Sequence, residues 1–297
     1  MMNKIYSSAI VMALVSLVAC NKEGVQTVGE TLSANAYISP ETKTDYVIGN
    51  YGEKAGVKVT WSEAETFKAY YTGGAEPVTF SKTAAGTSFT AETVPSGVTA
   101  STTFTGLYGL AATLNSGGKI VIDFSEQNGE LDNLAAYDVM TATSELKDGA
   151  LSFAFKHNCA ILRLKCVNNT KNRVSKVRLS IGKAQVSQKF ACKGFSQVND
   201  KEGNPMGIFL TFNLKTPIEA GSAEKDKGTV GYRYVMVPAI DYRSAKKEYI
   251  GAGEIDEFSN DRIIELSETK CIEAGKVYDV LCRCGAEAGD DGFIWGD

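Results

Sequence analysis

The chain of 297 residues holds one histidine, His157, and seven cysteines: Cys20, Cys159, Cys166, Cys192, Cys271, Cys282 and Cys284. These are the side chains that could act as a general base, a nucleophile or soft metal ligands near neutral pH. His157 stands in "FAFKHNCA", with no serine or cysteine placed relative to it by a recognisable catalytic motif, so a structural role at a bulge is expected. Cys282-Arg283-Cys284 puts two sulfurs on one face of a strand. At a rise of ~3.4 Å per residue they lie ~7 Å apart along it, so each pairs more readily with another cysteine than with the other. No CxxC spacing occurs, which argues against a four-thiolate zinc site, and the six cysteines from Cys159 to Cys284 are candidate disulfide partners. "GGAEP" (73–77) and "NSGGK" (115–119) lack phosphate-loop spacing and read as turns. With no nucleophile–base pair, metal motif or cofactor loop, the chain is expected not to be an enzyme and to use no cofactor or metal.

Cys20 has a context of its own. Lys4 provides a positive start, Ala9 to Val18 is apolar but for Ser16, and the chain turns polar at Asn21. The run is too short for a bilayer-spanning helix, which needs ~20 apolar residues. Leu17-Val18-Ala19-Cys20 resembles the lipobox of bacterial lipoproteins, with Leu at −3 and a small residue at −1. The resemblance implies a signal peptide over 1–19, cleavage before Cys20 and lipid on its sulfur. Several acyl chains on one cysteine hold stably to a membrane at ~0.8 kcal/mol per buried CH2. Cys20 is then an anchor, and no other segment is long and apolar enough to cross a membrane.

Charge narrows the partners. Thirty-one Lys and Arg against 35 Asp and Glu give a formal net charge of −4, scattered along the chain. No basic stripe interleaved with aromatics is present, so no nucleic-acid partner is expected. All the cysteines after Cys20 lie beyond residue 158 and the first arginine is Arg163, an asymmetry that places a boundary near residue 148.

The elements that must carry these residues have a period of two. Val57, Val59 and Trp61 alternate with Lys58, Thr60 and Ser62, Phe67, Ala69 and Tyr71 follow at the same spacing, and Ile120, Ile122 and Phe124 alternate with Val121, Asp123 and Ser125. The second half repeats the pattern at Val177, Leu179 and Ile181, at Ile208 to Leu214, and at Tyr278, Val280 and Cys282. Half-buried strands between Gly, Asn and Ser turns predict antiparallel sheets packed face to face. A short helix is expected around Glu130 to Tyr137. Leu151, Phe153 and Phe155 occupy odd positions whereas Leu162, Leu164 and Cys166 occupy even ones, so a break is expected near His157 to Ala160. The division expected is a tether over 20–33, β-sandwiches over 34–148 and 149–285, and a flexible, acidic, Gly-rich tail over 286–297, in which Phe293, Ile294 and Trp295 form a hook or docking segment.

Several stretches resemble the fimbrillin-like lipoproteins that build type V pili of Gram-negative anaerobes. They are the lipobox at Cys20, "TKT" around Lys43, "VTW" at 59–61 followed by "FKAYY", "FTGLYG" at 104–109, "YDVMTATSELKDGALSFAFKHNCAILRLKC" at 137–166, and the closing "IEAGKVYDVLCRC". Ser62-Glu63-Ala64-Glu65 departs from the Gly-Asp often found after the tryptophan, and the cysteine-rich second half is atypical. The resemblance implies an all-β fold of two transthyretin-like antiparallel sandwiches in tandem. It also implies export to the outer membrane, removal of the first strand by a trypsin-like protease, commonly arginine-specific, and filling of the opened slot by a strand of a neighbouring fimbrial subunit. With no arginine before Arg163, the bond after Lys43, before Thr44, is the expected processing site. The function expected is an accessory or structural subunit of a surface fimbria contributing to adhesion. The alternative is a fixed surface lipoprotein that binds a glycan or host ligand through exposed aromatics such as Trp61, Tyr70 and Tyr71.

Overall fold

In the computed structural model, residues 31–38, 46–47, 49–53, 56–57, 61, 65–83, 86–115, 118–180, 190–199, 203, 205–222, 227–241, 258–259 and 271–285 are described. Cys20, Lys43, Thr44 and the tail with Phe293 to Trp295 lie outside them.

Among the described residues, eleven strands precede Asn158. They are β1 (Leu32–Ile38), β2 (Tyr46–Val47), β3 (Gly56–Val57), β4 (Thr66–Tyr71), β5 (Val78–Lys82), β6 (Ser88–Ala91), β7 (Thr103–Tyr108), β8 (Ala112–Leu114), β9 (Ile120–Asp123), β10 (Met140–Glu145) and β11 (Ala150–His157). Ten follow it: β12 (Cys159–Asn168), β13 (Val174–Ser180), β14 (Phe190–Lys193), β15 (Phe195–Asn199), β16 (Pro205–Ile218), β17 (Thr229–Pro238), β18 (Ile240–Asp241), β19 (Phe258–Ser259), β20 (Cys271–Ile272) and β21 (Val277–Cys284). Among the described residues the helical stretch is the 3-10 helix Leu131–Tyr137. The chain is all-β, as its period of two requires.

The first half departs from the open sandwich expected. It closes into a barrel in the order β1-β11-β10-β7-β4-β5-β6, with β6 returning to β1. Most of its strands alternate, and the largest inward side chains are aromatic: Phe67, Phe80, Phe89, Phe104, Phe153 and Phe155 are all fully buried. Phe67 stacks on Phe80 at 5.0 Å and meets Phe89, Phe153 and Phe155 edge-on at 5.1 Å. Rings of this size fill a narrow closed barrel, and closure leaves no sheet edge in water.

The sheets part at Asn158, not near 148. Asp148 (φ 49°) and Gly149 (φ 78°) both have left-handed backbone, the signature of a two-residue hairpin turn. Lys147 and Ala150 exchange backbone hydrogen bonds across it, at 3.0 and 2.9 Å. The Asp-Gly pair thus folds β11 back onto β10 and keeps it in the barrel, so it is no linker. The change of inward face between Phe155 and Leu162 marks the true crossing. There Asn158 donates its N–H to Val139 O at 2.9 Å and its side-chain amide to Thr141 Oγ1 at 3.0 Å, while Ala239 N–H reaches Asn158 O at 3.0 Å.

Beyond Asn158 lies a sheet of order β15-β16-β13-β19-β21-β12-β17. β12 runs parallel to β21 and antiparallel to β17, and it is buried on both faces, as a parallel-paired central strand must be. A smaller sheet, β14-β9-β8, joins the halves: β9 pairs with β14 in parallel, and Ile122 and Phe124 enter the second core with Leu164, Leu210 and Val235. At Met236 a side chain takes up the outer edge of β17: Gln127 donates to Met236 O at 2.9 Å and accepts from Met236 N–H at 2.7 Å, as a neighbouring strand would.

Candidate functional site: the strand that closes the barrel

β1 reads Leu-Ser-Ala-Asn-Ala-Tyr-Ile, with Leu32, Ala34 and Ala36 buried and Ser33, Asn35 and Tyr37 exposed. It is the one strand that holds the barrel shut between β6 and β11. It runs parallel to β11, from Ser33 opposite Ala150 to Ile38 opposite Phe155, and antiparallel to β6, from Leu32 opposite Ala91 to Asn35 opposite Ser88. One further bond, Ala36 N–H to Thr87 O at 2.8 Å, extends the second ladder past the end of β6.

Side chains contribute less to this strand than backbone does. Its inward face offers Leu32 at one end, a half-buried Ile38 at the other and only two methyls between, because the phenyl rings of Phe89, Phe153 and Phe155 already fill the barrel. β11, by contrast, turns in Leu151, Phe153 and Phe155. Burying a leucine is worth ~1.5–3 kcal/mol and each ladder bond ~0.5–1.5 kcal/mol net. Two ladders and small inward residues make a strand that is well held, yet whose place another extended segment with small inward residues can take.

Where β6 ends, Trp61 takes over. Its indole N–H donates to Ala36 O at 2.8 Å, and its ring lies edge-on to Phe89, Tyr108 and Phe155 at 5.2 to 5.6 Å. Its own carbonyl accepts from Lys82 Nζ at 2.9 Å. The Tyr108 hydroxyl beside it is pushed up in pKa, first by burial and then by the charge of Glu65. Trp61 is therefore not an exposed platform. Nor do the other two aromatics join it: Tyr71 packs on Phe104 at 5.4 Å, and Tyr70 lies against the second core.

His157 closes β11. Its Nδ1 lies 2.7 Å from Asp138 Oδ1, with both residues buried and the pair spanning the crossing between the two sheets. The six cysteines from Cys159 to Cys284 are thiols in this structure, and they are dispersed over β12, β14, β20 and β21. Cys166 stands opposite Cys282 on the parallel pair β12–β21, while Cys284 stands opposite Asn168. Burial pushes the Cys159 thiol well up in pKa and that of Cys192 up to about 12, which disfavours the reactive thiolate at neutral pH. Asn168, which begins "NNT", is fully buried, and its amide donates to Asn172 O at 2.8 Å and Glu219 O at 2.9 Å.

No protein-family model matches this sequence, and no curated protein matches it. Among solved structures, it is similar to a candidate cell adhesion protein from Bacteroides ovatus, with 16% identity, a TM-score of 0.39, and coverage of 84% of this chain and 91% of that one. A candidate adhesin from Bacteroides ovatus overlaps at 10% identity and a TM-score of 0.43, over 90% of this chain and 94% of that one. A fimbrial protein from Bacteroides ovatus does so at 12% identity and a TM-score of 0.29, over 89% of this chain and 52% of that one. Overlap at this level leaves the fold to be argued from the strand order itself.

Proposed function

We propose that this chain is an exported lipoprotein, tied to the outer membrane through Cys20, that serves without catalysis as an accessory or structural subunit of a surface fimbria and contributes to adhesion. Its assembly step is strand addition. A cut after Lys43 frees β1, and an extended segment from another subunit takes the opened slot between β6 and β11. The observation that supports this reading is the position of β1: it is the first strand among the described residues, it closes the barrel, and it is held by a backbone ladder on each side. Its loss would bare two rows of amides over an aromatic floor, which an added strand satisfies with main-chain bonds for affinity and alternate side chains for register. Head-to-tail repetition of such a contact does not close, so it builds a filament. A fixed glycan-binding lipoprotein finds less support, since Trp61 is turned into the barrel. The two transthyretin-like units of that family are proposed here in modified form, the first of them closed.

The test is the intact mass and N-terminus of the protein extracted from native envelopes. A chain that begins at Thr44 bears the proposal out. A chain that still begins at acylated Cys20, in every state of the fimbria, overturns strand addition and leaves a permanently tethered protein.

A further inference from the structure

Arg163 is the first arginine of the chain, and it sits in the middle of the buried strand β12, where it is 3% exposed. Its partner Asp279, on β21, is directly opposite and 7% exposed. The guanidinium grips this carboxylate with two prongs, Nε to Oδ1 at 2.5 Å and Nη2 to Oδ2 at 2.8 Å. Its remaining donors leave the second sheet altogether. Nη1 donates to Gly49 O and Asn50 O, each at 2.6 Å, and Nη2 donates to Glu53 O at 2.8 Å. The carboxylate takes part as well, because Gly52 N–H donates to Asp279 Oδ2 at 2.7 Å. Tyr51 lies against Tyr232 at 6.0 Å, with Lys165 Nζ 5.8 Å from its ring.

All these acceptors and donors on the far side belong to the turn between β2 and β3. The turn is shaped for the grip: Gly52 has φ +83°, and Glu53 N–H closes it on Asn50 O at 3.0 Å. An Arg–carboxylate fork is planar and rigid, and two charges removed from water persist only if every donor finds a partner. Here the carbonyls of residues 49, 50 and 53 satisfy the donors that Asp279 leaves over. The tip is therefore not an incidental neighbour of the ion pair but its third component.

We propose that Arg163 and Asp279 form a clamp that divides the N-terminal segment in two: β1, which can leave, and the β2–β3 hairpin, which cannot. The two parts are held by unrelated means, β1 by strand ladders in the barrel and the hairpin tip by a charged fork on the second sheet. A chain severed between them keeps everything from Gly49 onward in place, so the slot opens by one strand and no further. The hairpin tip stays fixed on the second sheet. The proposal rests on the strand-addition reading for its biological use, but the clamp is testable without it.

The experiment is amide exchange on the detergent-extracted full chain before and after limited digestion with a lysine-specific endoproteinase, on the species whose new N-terminus is Thr44. In the wild type, Gly52 and Glu53 amides are expected to stay as protected after the cut as before it. In D279N, cut in the same way, they should exchange about 10- to 100-fold faster, the equivalent of losing a hydrogen bond to a charged group, while β4 and β7 amides stay slow. If D279N does not fold, R163K keeps the charge, loses the fork and is read in the same way. Tip amides that become fast in the cut wild type overturn the clamp, as do tip amides that stay slow in the variants. Protein found uncut in native envelopes would sink the processing reading alone and leave the clamp standing.

Discussion

The indole N–H of Trp61 donates to the carbonyl of Ala36 at 2.8 Å, at the point where the pairing of β1 with β6 gives out and that with β11 goes on. A side chain thus completes the ladder that holds the strand on which the proposed function depends. Trp61→Phe keeps most of the ring packing and removes the donor, leaving a fully buried carbonyl with one partner fewer. Loss of about 1–3 kcal/mol is expected, at about 2–4 °C in Tm per kcal/mol, together with faster departure of β1 from the cut chain. Thermal melts and the dissociation rate of the β1 fragment check it.

Neighbouring positions on β1 should respond in opposite ways. Ala36 is fully buried and Asn35 is exposed. Ala36→Asp places an unpaired carboxylate among phenyl rings and is expected to remove about 3–5 kcal/mol, as measured by urea unfolding. Asn35→Asp should stay within about 0.5 kcal/mol of the wild type. Equal effects at the two positions would contradict the register.

Cys192 gives a pH dependence. Its thiol rises from 9.0 to about 12 because burial disfavours the thiolate. The unfolded chain ionises first as pH rises, so the contribution of this group is fully present below pH 9 and is lost as pH climbs toward 12. Cys192→Ala should flatten that alkaline limb. An aromatic disulfide reagent near neutral pH should leave Cys159 and Cys192 unmodified until the protein is unfolded.

Much of the fold was legible because a strand announces its buried face by alternation. Phe67 and Ala69, Val177 and Leu179, and Tyr278 and Val280 all face inward as their spacing requires. The switch of face around His157 marked the break between β11 and β12. Closure of the barrel was not legible, because it depends on β1 meeting β6 and β11, a pairing set by tertiary packing with no local mark. The boundary near 148 was drawn from cysteine and arginine usage, whereas Asp148-Gly149 carried the stronger local signal of a hairpin. Arg163 and Asp279 did leave a trace: a charged residue inside "AILRL" and another in "VYDVLC" interrupt apolar stretches, and a buried charge must have a partner. That the partner would be shared with a turn near residue 51 could be known only from the structure.

The central claim is that β1 is a replaceable closing strand, and the most direct measurement is on a chain that starts at Thr44, with and without a peptide of the sequence of residues 31–38. The account predicts that this chain alone exposes the amides of β6 and β11 to exchange and self-associates. It predicts also that the peptide restores both protection and the monomer, one peptide per chain. A chain from Thr44 that is monomeric, with β6 and β11 as protected as in the full protein, would contradict it.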